Sequence, residues 1–243
     1  MIIYERDHAG VVLSPAELGQ LPLSNATAMG YFTKEAIRET ILDFRDDTKT
    51  NTRPGIRVYR IRNAGNTATL QSIVAVAVKE DGFDAVPFPQ NATPWRRSQR
   101  LQNSGTGSRP RAFSTDQLTF NAAFGLSRDG NLSAYFSETM LAPLLDDASA
   151  DGITFYEVPL DASPQARLSA HVSGQTGLTS YLAVATRLVN GLVLHDPAGM
   201  GNNVLSDLPC PGYCLSFQTT TAAVANVDID FNGAPYLIRW QKT

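Results

Sequence analysis

The sequence predicts an α+β protein made of two related helix-plus-antiparallel-sheet units, an internal duplication, with a β-rich C-terminal extension. Three observations predict it. Two stretches, 31–83 and 135–192, run through the same succession of blocks. In each, an apolar pattern of helical period gives way to β-branched or alternating runs. Asp-Gly or Asn-Gly pairs then punctuate those runs as hairpin turns do.

Each unit opens on an aromatic pair and a hydroxyl, Tyr31-Phe32-Thr33-Lys34 against Tyr135-Phe136-Ser137-Glu138. Thr33 and Ser137 stand where a helix N-cap belongs, each with an oxygen able to accept from a first-turn amide. Behind them Ala36, Ile37 and Ile41 stay in phase with Met140, Leu141 and Leu145, and Phe44 completes the first stripe, which turns one helical face to a core. Pro143 falls inside the second helix and removes a backbone donor, so that helix is expected to be kinked, short or late to start.

Next come Gly55-Ile56-Arg57-Val58-Tyr59-Arg60-Ile61 and Gly152-Ile153-Thr154-Phe155-Tyr156-Glu157-Val158. Glycine is expected to close the helix-to-strand connection through an unusual backbone angle, and the residues after it suit a pleated strand. Ser72-Ile73-Val74-Ala75-Val76-Ala77-Val78 then matches Ser180-Tyr181-Leu182-Ala183-Val184-Ala185-Thr186. Alternation of Ala with larger apolar residues predicts a strand covered on both faces, its Ala side close to a helix. Turns at Asp81-Gly82 and Asn190-Gly191 lead into short strands at 83–86 and 192–194. Each unit is expected to read helix, strand, strand, turn, strand.

The units are placed at 1–90 and 121–198, with 91–120 between them as a Pro/Ser/Arg-rich linker or loop. This stretch holds Trp95, Arg96, Arg97, Arg100, Arg109 and Arg111, with no acidic residue from 95 to 111. It reads either as a solvated linker or as a basic arm for an acidic partner or a neighbouring subunit. Residues 199–243 are expected to pack on the second unit as the β-rich extension, with strands at 215–221, 227–231 and 236–240 and a turn at Asn232-Gly233.

Bulk properties exclude several functions. With 20 Lys and Arg against 23 Asp and Glu, the net charge of −3 lacks the basic excess that supplies nucleic-acid binding, so no nucleic acid is expected as partner. No apolar run approaches the roughly 20 residues of a membrane span. The first residues lack the pattern of a secretory signal, which suggests a cytoplasmic protein, or an exported one if the sequence is a processed form. Two cysteines are too few for a disulfide-dense scaffold or a four-cysteine zinc site.

Candidate chemistry is sparse. His195-Asp196 ends a strand, but the other histidines, His8 and His171, have no ligand-type partner at helical spacing, so a surface histidine paired with a turn aspartate is expected and no metal. Cys210 and Cys214, separated by Pro-Gly-Tyr, could close a tight disulfide loop or remain thiols. Cys214 with His195 lacks the local signature of a known cysteine enzyme. Gly199-Met200-Gly201 is not followed by the Lys-Ser/Thr of a phosphate loop.

The block 32–83, with its capped helix, Gly55-Ile56-Arg57-Val58-Tyr59 and an apolar strand ending in a glycine turn, resembles a group of small uncharacterised bacterial proteins. Those carry a helix followed by a Gly-Ile-Arg-x-Tyr strand. Some end in a Cys-Pro-Pro-type segment, to which Cys210-Pro211-Gly212-Tyr213-Cys214 is similar. The resemblance covers the two repeat blocks and implies no particular activity. It departs at Thr154, so Arg57 carries no function over from it.

The expected function is that of a non-enzymatic structural or protein-interaction protein, self-assembling through sheet edges and the arginine arm, with copies of itself as partner and no cofactor. The alternative is a small-ligand binder or enzyme with a site in the groove between the units, drawing on His195, Asp196, Cys210 and Cys214.

Overall fold

The computed structural model describes residues 11–21, 23, 28–42, 55–61, 72–78, 95–104, 107–111, 133–159, 179–196, 200–206, 209–210, 215–216 and 239–240. In chain order these are α1 (Pro15–Gln20), β1 (Ala28–Thr33), α2 (Lys34–Leu42), β2 (Gly55–Ile61), β3 (Ser72–Val78), β4 (Trp95–Arg97), β5 (Arg100–Asn103) and β6 (Ser108–Arg111). They continue as β7 (Ser133–Ser137), α3 (Glu138–Leu145), β8 (Gly152–Pro159), β9 (Thr179–Thr186), β10 (Leu188–Val189), β11 (Leu192–Val193), β12 (Asn203–Leu205), β13 (Pro209–Cys210), β14 (Leu215–Ser216) and β15 (Arg239–Trp240). The expected turns at Asp81-Gly82 and Asn232-Gly233, the strand at 227–231 and Phe44 lie outside the described residues.

The class is mixed α+β, mostly strand, with antiparallel pairing throughout. The first sheet runs β1-β8-β9-β12, the second β13-β7-β2-β3-β4 and the third β10-β11-β6-β5; β14 and β15 form a separate ladder. The caps form as expected. The Ala36 N–H donates to Thr33 Oγ1 at 3.2 Å and the Met140 N–H to Ser137 Oγ at 3.2 Å. What precedes each cap is a strand: Tyr31-Phe32 belong to β1 and Tyr135-Phe136 to β7.

Those two leading strands trade places. β1 pairs with β8, from the later half of the chain, and β7 pairs with β2, from the earlier half. The registers agree position by position: Thr33 faces Gly152 and Phe32 faces Ile153, while Ser137 faces Gly55 and Phe136 faces Ile56. The next ladders agree too, Gly55 opposite Val78 and Gly152 opposite Thr186. So do the last, Val76 opposite Trp95 and Val184 opposite Asn203. Neither sheet therefore belongs to one stretch of sequence.

Gly55 and Gly152 owe their identity to this exchange and not to an unusual backbone angle. A Cβ on Gly152 would lie 2.3 Å from the Phe32 carbonyl oxygen, and one on Gly55 would lie 2.4 Å from that of Phe136. Only a residue without a side chain lets the partner strand and its tyrosine ring come so close. Gly191 does need its angle: Asn190 and Gly191 have φ of 53° and 73°, the two positive values of a tight hairpin turn between β10 and β11.

The inner faces of the first two sheets share one core with α2 and α3. Ile37, Ile41, Met140, Leu141, Leu144 and Leu145 pack there against Ile56, Val58, Ala75, Ile153 and Ala183. Phe155 receives a ring from each exchanged strand, edge-on to Phe32 at 5.7 Å and to Phe136 at 5.4 Å. Pro143 is accommodated within a helix of 8 residues, the short outcome of those expected.

A second cluster lies on the other face of the first sheet. Leu13, Leu18, Leu21 and Leu23 cover Tyr156, Val158, Leu182, Val184 and Leu205, which is why β9 is buried on both faces. The α1 helix that brings them there starts on a reciprocal cap: the Glu17 N–H donates to Ser14 Oγ, and Glu17 Oε2 accepts from the Ser14 N–H at 2.8 Å. Asn203 stitches the segment down, its amide bonding both the N–H and the carbonyl of Leu13 at 2.9 Å. Strand structure also runs through the 91–120 stretch expected as linker or loop, and β12 and β13 of the expected extension complete the first and second sheets. No helix among the described residues is long and apolar enough to cross a membrane.

Candidate functional site

The expected partner-binding residues divide between two sheets. Trp95, Arg96 and Arg97 form β4 at the rim of the second sheet. Arg100, Arg109 and Arg111 belong to the β5–β6 hairpin of the third sheet, whose loop is closed by the Ser104 N–H donating to the Gly107 carbonyl at 2.8 Å.

Hairpin register decides what the second trio does. Arg100 stands opposite Arg111 and Gln102 opposite Arg109, so all four side chains share one face. Leu101 and Pro110 occupy the other face, more withdrawn from solvent than Gln102, Arg109 and Arg111. The result is a short two-stranded ribbon with three permanent cations on one side. Among the described residues none of the three guanidinium groups has a hydrogen-bond or ion-pair partner, and the Nε–H of Arg100 is enclosed without an acceptor.

An acidic rim lies at the packed ends of α2 and α3. Glu35, Glu39, Asp146 and Asp151 are exposed, the Asp146 side chain to 77%. Lys34 Nζ donates to the Asp147 carbonyl at 2.8 Å and Arg38 Nη2 to the Leu145 carbonyl at 2.6 Å, which ties the two helix ends together. Hydrogen bonds from the Ser149 hydroxyl and N–H, with help from Asn202, hold the Asp147 carboxyl below its ordinary pKa and keep it charged. Tyr31, beneath this rim, is pushed up to about 12 by burial and by the charges of Asp151 and Glu35.

His195 is placed otherwise than expected. It is half-buried, with Nδ1 2.9 Å from Tyr156 Oη and Nε2 2.8 Å from Ser108 Oγ, and its ring meets Tyr156 edge-on at 5.6 Å. The reason is the hairpin: Val193 pairs with Ser108, which carries the following residues over β8 of the first sheet. Burial favours the neutral ring and lowers the histidine's pKa, and it raises that of Tyr156.

Serine, histidine and tyrosine in line have the form of a nucleophile, a base and an orienting group. Ser108 is only 2% exposed, however, and Tyr156 1%, so the chain of bonds joins the third sheet to the first without opening to a substrate. Asp196 is exposed beside it, Cys210 lies in β13 of the second sheet, and Cys214 lies outside the described residues. Sequence reasoning found His195 but missed Ser108 and Tyr156, which stand 87 and 39 residues away and carry no motif.

Among the described residues no group of three or more His, Cys, Asp or Glu could hold a metal ion. No family model, curated protein or solved structure matches this chain.

Proposed function

We propose that the protein is a non-enzymatic interaction protein that assembles with copies of itself, the arginine face of the β5–β6 hairpin meeting the acidic rim of a neighbour. The observation that carries this is the direct opposition of Arg100 and Arg111, with Arg109 on the same face and no counter-charge among the described residues. Like charges opposite one another weaken a strand pair, so a hairpin that keeps them is built for an anionic partner. Glu35 and Glu39, with Asp146, which also pairs with Arg38 at 3.4 Å, and Asp151, which also accepts from the Leu188 N–H at 2.7 Å, supply a matching surface on the same chain.

Two further features support assembly. Among the described residues the third sheet ends at β10, whose Leu188 N–H is capped by Asp151 Oδ2 at 2.7 Å, which leaves the 43% exposed Val189 as an apolar contact for another copy. The equal registers of the exchanged ladders support the origin of the fold by duplication of one unit that once paired with itself across an approximate twofold axis. The alternative, a ligand or catalytic site around His195, is supported by the Ser108–His195–Tyr156 chain and opposed by the enclosure of its serine.

Size-exclusion chromatography with light scattering over a concentration series tests the reading. A mass that rises above the monomer with concentration is expected; a monomer at every concentration overturns it.

A further inference from the structure

We infer that the Arg100–Arg111 pair, flanked by Arg109, is a binding site for a phosphate-type oxyanion. This goes beyond assembly, since it requires only a small ligand and no second copy; the two uses share one face, so bound phosphate competes with a neighbour's carboxylates.

Three conditions favour it. Arg100, Arg109 and Arg111 occupy adjacent positions of one ribbon face, with Gln102 opposite Arg109 as a further, neutral donor. The backbone they stand on is a closed hairpin locked from behind, because Ser108 in β6 bonds His195 and pairs with Val193. The donors are thus presented by a fixed element and not by a free arm. Arg100 is also partly withdrawn from water, its Nε–H enclosed without an acceptor. A cation in that position with another cation directly opposite lacks what would balance it, and a bound anion supplies it.

Chemistry selects among anions. Guanidinium forks match the paired oxygens of carboxylate and phosphate alike, but a carboxylate offers two oxygens and about one charge, whereas a phosphate offers three acceptor oxygens and about −1.5 to −2. Three forks on one face suit the second. Inorganic phosphate and a phosphate monoester share this chemistry, and the site has no feature that demands one over the other.

Isothermal titration of the full chain with inorganic phosphate, O-phosphoserine and acetate at fixed ionic strength tests the inference. Saturable binding of phosphate, weaker or absent binding of acetate, and a loss of about tenfold or more in Arg100→Gln and in Arg111→Gln are expected. Phosphoserine binding more tightly than phosphate identifies an esterified ligand, and equal binding a free one; both support the site. Arg187→Gln, which removes an exposed charge elsewhere, should leave affinity unchanged. Circular dichroism confirms that each variant is folded, and Arg111→Lys, which keeps charge but not the fork, should bind more weakly than the parent. No saturable phosphate binding, or an equal loss in Arg187→Gln, overturns the inference. Phosphate binding by a chain that is monomeric even without phosphate would sink self-assembly alone, and assembly without phosphate binding would sink this site alone.

Discussion

Arg100 faces Arg111 directly across the β5–β6 hairpin, two cations at positions where a strand pair gains most from opposite charges. Such an arrangement sacrifices stability in the isolated chain. Arg111→Glu should therefore raise stability by up to about 1 kcal/mol, a shift of about 2–4 °C in Tm for a chain of this size. The same variant should weaken self-association. Thermal unfolding at low salt checks the first, and a lowered Tm would show that the pair is balanced by groups of the chain itself.

Close approach of the exchanged strands makes a second prediction. Gly55→Ala and Gly152→Ala each drive a methyl into a backbone carbonyl, at 2.4 Å from Phe136 O and 2.3 Å from Phe32 O. Each should cost about 1–3 kcal/mol or more. Gly19 is the control: it lies within α1 with nothing inside 4 Å of an added Cβ, so Gly19→Ala should stabilise by about 0.5–1 kcal/mol. Chemical denaturation ranks the three. Equal, mild effects at all three would mean that the strands do not close as described.

His195 makes stability depend on pH. Its folded pKa lies below the ordinary 6.5, so the unfolded chain binds more protons as pH falls. The stabilisation belongs to the neutral ring: it is complete above about 6.5 and is lost as pH drops through that value toward the folded pKa. Denaturation midpoints between pH 8 and 5 should fall more steeply for the parent than for His195→Gln. Parallel curves would contradict the burial of the ring.

Ser108 should behave as a structural hydroxyl. Removing it in Ser108→Ala leaves the Nε2 of a half-buried imidazole without its partner, for a cost of about 1–3 kcal/mol. A fluorophosphonate probe should leave the parent unlabelled, because Ser108 is enclosed. Stoichiometric labelling at Ser108 would restore the catalytic alternative.

Local features were legible in the sequence. The strands beginning at Gly55, Ser72 and Gly152, that spanning Ser180, the caps Thr33 and Ser137, and the Asn190-Gly191 turn all follow from residue type and period. The Ser14-Pro15-Ala16-Glu17 cap that starts α1 carries an equally local signal. Strand exchange was not legible, since pairing between Tyr31 and Thr154, or Tyr135 and Arg57, is decided by how the sheets close on the core and leaves no local pattern. For the same reason the arginines read as an arm: five in a polar stretch say nothing of register, and only the pairing of Arg100 with Arg111 and Gln102 with Arg109 places three of them on one face.

Sedimentation velocity of the parent and of the triple variant Arg100→Gln/Arg109→Gln/Arg111→Gln, each at low and high salt, tests the central proposal most directly. Exposed charges are screened beyond about 10 Å at 0.1 M salt, so assembly through the hairpin should be strongest at low ionic strength. The parent should sediment as an oligomer at low salt and as a monomer at high salt, and the variant should be monomeric in both. A parent and variant with the same sedimentation profile under all conditions would contradict the proposal.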